Sequence, residues 1–204
     1  MNLPATTWVG IFAHPDDEWV AGWPVFQCAA VRKGVVFFVG DNRPEGAGDR
    51  WEWAPALRRV LEALDIRLLG CLGLSPDFYR EGRDRRKHWR TELAATLEAA
   101  LTGPFAEAAL LTHNPVGEYG HPDHVAVLQT VLDIAPEQRT FITDLCYEEK
   151  CSPLLERLFY QGAAFGPFPF EPDSWDKARE AYESSYRWTA RDSPGALQAN
   201  LYEL

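Results

Sequence analysis

Apolar residues in this chain fall in short unbroken runs separated by longer stretches of mixed polarity, the pattern of buried strands alternating with helices. Thr7 to Ala13 (TWVGIFA) is the first run; it stops at His14-Pro15, and Asp16 to Lys33 is long enough for a helix with acidic residues in its first turn. Pro24 lies inside that stretch and predicts a break, with Val25 to Arg32 as a second helical piece. Val35 to Val39 (VVFFV) predicts the second strand, Asn42 to Arg50 a loop, and Trp51 to Leu64 a helix. The alternation continues with Arg67 to Leu72 as strand, Ser75 to Gly82 as loop, Arg83 to Leu101 as helix and Ala108 to His113 as strand. After a turn-rich Asn114 to Gly120, His121 to Ile134 predicts a helix and Thr140 to Cys146 a fifth strand. This order predicts an α/β fold, three layers with a mainly parallel sheet, whose ligands sit beyond the carboxyl ends of the strands. From Ser152 the pattern is less regular: GPFPFEP reads as a loop and Trp175 to Trp188 as a helix. One domain over 1–204 is expected, with 1–146 as the core and 147–204 as a covering or rim-forming segment.

Composition narrows the classes without changing that picture. With 204 residues, 46% hydrophobic and 25% charged, the chain is an ordinary globular one, which excludes disorder, collagen and disulfide scaffolds. A chain of this size buries roughly 70% of its unfolded surface, so a metal is not needed to hold it folded and any metal serves chemistry. Twenty basic against thirty acidic residues leave a net charge of −10, so no basic footprint draws the chain to nucleic acid or to an anionic membrane. Cys28, Cys71, Cys146 and Cys151 are widely spaced with no CxxC pair and read as reduced buried thiols rather than a disulfide framework or a structural zinc knuckle. Met1 to Trp8 has no basic stretch before an apolar one, and no run approaches the roughly 18 apolar residues of a membrane span. A cytoplasmic protein is expected, and assembly into identical copies is compatible with it.

Two polar clusters stand at strand ends, AHPDDE at the first and HNPVGEYGHPDH at the fourth, and they hold four of the five histidines. An acidic run opening a helix commonly just complements the positive helix end, and a single His-x-x-His is a weak signal. Their joint occurrence at two strand ends of one sheet points instead to a metal site. His14 and Asp17 straddle a strand-to-helix turn, and His121 and His124 at i, i+3 share a helix face. Two imidazoles, one carboxylate and a vacant fourth position make the ligand set of a hydrolytic zinc site, one divalent metal per chain. The adjacent Asp16-Asp17 pair supplies one metal ligand and one spare carboxylate for a general base.

The pair AHPDDE and YGHPDH resembles the signature of the PIG-L/LmbE-like family of zinc-dependent N-acetylglucosaminyl deacetylases. The resemblance implies a Rossmann-like three-layer sandwich, with His14, Asp17 and His124 binding zinc and Asp16 acting as general base. It implies that His121 stabilises the oxyanion or protonates the leaving amine, that Asp123 orients His121, and that Tyr119 approaches the scissile amide. Where the family carries an R-x-x-E pair facing the sugar this chain has Trp53 and Ala56, with Arg50 one turn earlier as the substitute. Asp41 and Asp77 occupy places where the family contacts substrate hydroxyls.

Weaker features are assigned mostly to structure: Arg80 to Arg90 to a solvated helix start or a rim for an anionic substrate, Trp19, Trp23, Trp51 and Trp53 to the core or to a sugar-stacking mouth. His113 reads equally as a satisfied buried histidine or as a supporting contact of the site. The expected substrate is a small amino sugar or glycoconjugate. The alternatives are an amidase of the same mechanism on a non-sugar amide and a catalytically silent carbohydrate-binding module.

Overall fold

Strand β1 (Thr7–Phe12) shows why the sheet lies in the middle of the molecule: Trp8 and Phe12 enter the core of one face, Val9 and Ile11 that of the other, and all four are fully buried. A strand apolar on both sides must be covered on both sides. The computed structural model describes residues 3–39, 53–74, 78–80, 83–145, 164–183 and 198–204. In it β1 pairs in parallel with β2 (Arg32–Val39) and with β4 (Ala109–Thr112), β2 with β3 (Arg67–Leu74), and β4 with β5 (Thr140–Thr143). Two antiparallel strands, β6 (Ala164–Pro169) and β7 (Gln198–Glu203), complete a seven-stranded sheet of order β3-β2-β1-β4-β5-β7-β6.

The short helices α1 (Asp17–Val20) and α2 (Trp23–Phe26), with α3 (Trp53–Ala63), cover the face that carries Trp8 and Phe12. The opposite face is covered by α4 (Arg83–Ala100), through Trp89, Leu93 and Leu97, and by α6 (Pro122–Ile134), through Val127 and Val131; a single turn, α5 (Gly117–Gly120), precedes α6. Helix α7 (Pro172–Glu183) joins the first face through Trp175, Ala178 and Tyr182. This is the expected three-layer sandwich. The chain leaves β1 toward β2 on one side and reaches β4 on the other, so the switch point lies between the carboxyl ends of β1 and β4.

Several expectations are corrected. The break expected at Pro24 falls just before it, between α1 and α2; Pro24 itself stands in the first turn of α2, where its missing N–H costs nothing, and that piece ends at Phe26, with Arg32 already in β2. The GPFPFEP stretch is largely strand: β6 occupies the sheet edge, the position at which prolines are tolerated because they have no ladder N–H to offer. Residues 164–169 and 198–203 therefore extend the sheet rather than only covering it. Strand β5 ends at Thr143, short of Cys146, and α7 begins at Pro172, ahead of Trp175; residues 184–188 lie outside the described residues. Of the cysteines expected to be buried, Cys28 is half-buried and Cys71 exposed. Trp19 and Trp23 are core residues, at 2% and 0% exposure, not a sugar platform. Asp41, Arg50, Asp77, the 42–50 loop, Trp51, Cys146 and Cys151 lie outside the described residues, as do the side chains of Trp53 and Ala56. Among the described residues no helix is long and apolar enough to cross a membrane.

Candidate metal centre

Beyond β1 the chain turns sharply. Asp16 adopts φ 99°, a left-handed conformation rare for a residue with a side chain, and is half-buried, while Asp17 beside it is buried at the start of α1. Two hydrogen bonds hold the turn. The His14 N–H donates to Asp17 Oδ2 at 2.7 Å, and the Asp16 N–H donates to Glu18 Oε2 at 3.1 Å. Glu18 is fully buried and its other oxygen accepts from the Tyr182 hydroxyl of α7. Burial, reinforced by the charges of Asp16 and Asp17, pushes the Glu18 carboxyl up from its ordinary range.

The loop after β4 is organised by Asn114 and Glu118. Asn114 Oδ1 accepts the N–H groups of Val116 and Glu118, both at 3.1 Å, and its amide donates to the Thr143 and Leu145 carbonyls at 3.3 and 2.7 Å. The buried Glu118 carboxylate accepts the Asn114 N–H at 3.0 Å on Oε1, and its Oε2 lies 2.9 Å from His113 Nδ1 and 2.6 Å from His124 Nδ1. Burial opposes its charge, yet the neighbouring imidazoles hold its pKa down to about 2.

These contacts fix where protons sit. The Ala13 N–H donates to His113 Nε2 at 2.9 Å, so that nitrogen is an acceptor and Nδ1 carries the proton given to Glu118. The charges of Glu118 and Asp17 lift His113 to about 9 against burial, but a second proton on Nε2 would point at the Ala13 amide, and the geometry favours the neutral ring. His124 is fully buried and burial, helped by His113, lowers its pKa, so it too is neutral with its proton on Nδ1. Its Nε2 has no hydrogen-bond partner and faces Asp17 Oδ1 at 3.4 Å. Burial works against the Asp17 charge, but the surrounding imidazoles, with His14 the protonated one, hold the carboxyl well below its ordinary value.

A buried lone pair opposite a buried carboxylate is what a cation would satisfy. The ligand atoms of His14, Asp17 and His124 all lie within 4.8 Å of one another, a group that fits a divalent metal. His14 is held against burial by Asp123, its Nε2 3.2 Å from Oδ2, and by Asp17; these raise it to about 10, so a metal would displace a proton there.

His121 caps α6 instead of lying within it, and its Nδ1 accepts the Asp123 N–H at 3.2 Å. Burial and the neighbouring His124 and His14 lower it to about 4, so the ring is neutral with its proton on Nε2. Asp123 thus meets His121 through its backbone; its carboxylate bonds His14 and the Tyr79 N–H, the latter at 3.0 Å. The Tyr119 ring is half-exposed, 5.6 Å from His121 and 5.3 Å from His124, and burial together with Asp17 and Asp16 raises its phenol well above the usual value. Sequence reasoning missed Glu118, Glu18, Asn114 and Tyr182. The signal for Glu118 was an acid inside a glycine-rich turn, which reads as an ordinary polar loop residue. The arginine-rich start of α4 carries surface pairs, Arg90 with Asp133 and His88 with Glu92, of the kind that contribute little.

The chain is 31% identical to 1D-myo-inositol 2-acetamido-2-deoxy-alpha-D-glucopyranoside deacetylase of Nakamurella multipartita, in a match that covers 66% of this chain. The fold superposes on the zinc-inhibited form of teicoplanin deacetylase with a TM-score of 0.64 at 14% identity, over 97% of each chain. The chain is thus similar in sequence to one deacetylase and in fold to another. It spans just over half the length, 56%, of the curated relative it matches. No family model matches it. The fold is also similar to that of 4-carboxy-2-hydroxymuconate hydratase from Pseudomonas putida, with a TM-score of 0.56 at 13% identity, over 98% of this chain and 96% of that one. A shared fold therefore leaves the chemistry to the residues of the site.

Proposed function

We propose that the chain is a zinc-dependent N-deacetylase of an N-acetylated amino sugar or glycoconjugate. The observation that carries this reading is the unpartnered, buried Nε2 of His124 opposite the Asp17 carboxylate, with Asp16 adjacent and half-buried in a strained turn. His14, Asp17 and His124 would hold the zinc, which supplies a Lewis acid for the amide carbonyl and makes a water molecule easier to deprotonate. Asp16 takes the proton from the attacking water. His121, neutral with N–H on Nε2, donates to the oxygen that becomes negative, an oxyanion contact instead of a proton-donating acid. Tyr119, kept as a phenol, offers a second donor at the mouth of the site. The water oxygen bonds to the acyl carbon, the C–N bond breaks, and the proton held by Asp16 passes to the leaving nitrogen, giving the free amine and acetic acid, which ionises to acetate. Asp41, Arg50 and Asp77 are proposed as substrate contacts on sequence alone.

Support for the sugar amide comes from the named relative and from the two motifs. The test is elemental analysis of protein purified without chelator, followed by assay of amine release from N-acetylglucosamine and its glycosides by zinc-loaded protein. About one zinc per chain and amine release are expected. Metal far below stoichiometry after zinc loading would overturn the mechanism, and stoichiometric zinc with release only from non-sugar acetamides would turn the reading to an amidase.

A further inference from the structure

Glu118 has no part in the chemistry just described, yet the fold goes to some length to place it. Its backbone lies at φ 56°, ψ −48°, a conformation open to glycine and strained for a residue with a Cβ. The neighbouring Gly117 and Gly120 also carry positive φ, so position 118 is where a glycine would be expected and a carboxylate stands instead. The side chain is fully buried, and both its oxygens are used: Oε1 by the Asn114 N–H, Oε2 by His113 and His124 together. Closing the loop does not require it, because Asn114 already ties Val116 and the Glu118 N–H to the end of β5.

What Glu118 alone supplies is an acceptor for the Nδ1 proton of His124. The His113 ring, bonded to the same oxygen, stacks on His124 with centroids 3.8 Å apart and planes at 17°, which keeps the His124 imidazole from turning over. We propose that Glu118 is the positioning residue of the metal centre, holding the His124 proton on Nδ1 so that Nε2 stays an electron-pair donor aimed at Asp17. This rests on the reading that His124 is a metal ligand. A carboxylate on the far nitrogen also makes the near nitrogen a stronger donor, and loss of such a partner typically costs 10–100-fold in metal affinity.

The experiment is zinc affinity of the apo-protein by competition with a chromophoric chelator, for the parent and for Glu118→Gln, Glu118→Gly, His124→Ala and Leu97→Ala. Leu97 is buried on α4, apart from the site, and its truncation reports what lost stability alone does to zinc binding. Both Glu118 variants are expected to bind zinc about 10–100-fold more weakly, while Leu97→Ala melts earlier and keeps the parental affinity. Glu118 variants at parental affinity, or a loss no greater than that of Leu97→Ala, overturn the proposal. His124→Ala at parental affinity removes the ligand reading on which it rests, an outcome distinct from failure of Glu118 alone. Long-range ¹H–¹⁵N spectra of the zinc-loaded parent decide the point without any variant: the His124 proton belongs on Nδ1, and a proton on Nε2 refutes the assignment.

Discussion

Adjacent carboxylates with opposite surroundings can divide a reaction between them. Asp17 is buried and held ionised by the N–H and the protonated ring of His14, whereas Asp16 is half-buried at a left-handed turn. Asp16→Ala is therefore expected to retain zinc and lose about 10²–10⁴ in turnover, the range of a general base. Asp17→Ala is expected to lose both metal and turnover. Zinc content and kcat measured side by side check this, and equal metal content in the two variants contradicts it.

At the scale of elements, the central strand tolerates little. Gly10 in β1 faces Phe12 and Phe26, and a Cβ there would come within 2.3 Å of the Phe12 ring and 2.9 Å of the Phe26 ring. Gly10→Ala is expected to destabilise the fold by about 1–3 kcal/mol, as overpacking does, readable from urea unfolding. On the neighbouring strand β2, opposite Trp8, Lys33 is buried, with its ammonium at 3.3 Å from the Phe26 carbonyl and 3.5 Å from the Leu64 carbonyl. Burial lowers its pKa below the ordinary 10.5. The folded state then binds fewer protons than the unfolded one as pH rises through the folded value towards 10.5, so this group's contribution to stability grows with pH. Against Lys33→Met, which has no such group, the parent should gain stability between neutral pH and 10.5 in paired denaturant titrations. A constant difference across that range would sink the assignment.

The whole molecule depends on its C-terminal third in two places. Strand β7 lies between β5 and β6 and pairs with both, so its loss opens the middle of one wing of the sheet. Deleting residues 198–204 is expected to abolish cooperative unfolding, followed by circular dichroism on heating; a transition at the parental temperature would show that β7 is dispensable. Helix α7 reaches the turn after β1 through Tyr182 and Glu18, 164 residues apart in sequence. The turn after β1 is thus braced by a segment that carries neither of the two motifs.

Local patterns by themselves determined the alternation of β1 to β5 with helices, because apolar runs and helical stretches are properties of neighbouring residues. They also determined that AHPDDE and the histidine cluster stand at strand ends, and the order of a parallel sheet brings such ends to one edge. Only the tertiary structure decided the rest. That GPFPFEP can be a strand depends on its place at the sheet edge, where missing N–H groups go unnoticed. That the Asp123 carboxylate serves His14, 109 residues away, and its amide serves His121, follows from the packing of α6 against β1. And the proton on His124 is set by Glu118, whose side chain becomes a buried acceptor only once its loop has folded around Asn114. Hydrogen-bond partners chosen by closure of the fold leave no periodicity in the chain, whereas burial does, and that is why the sheet was legible and the wiring of its site was not.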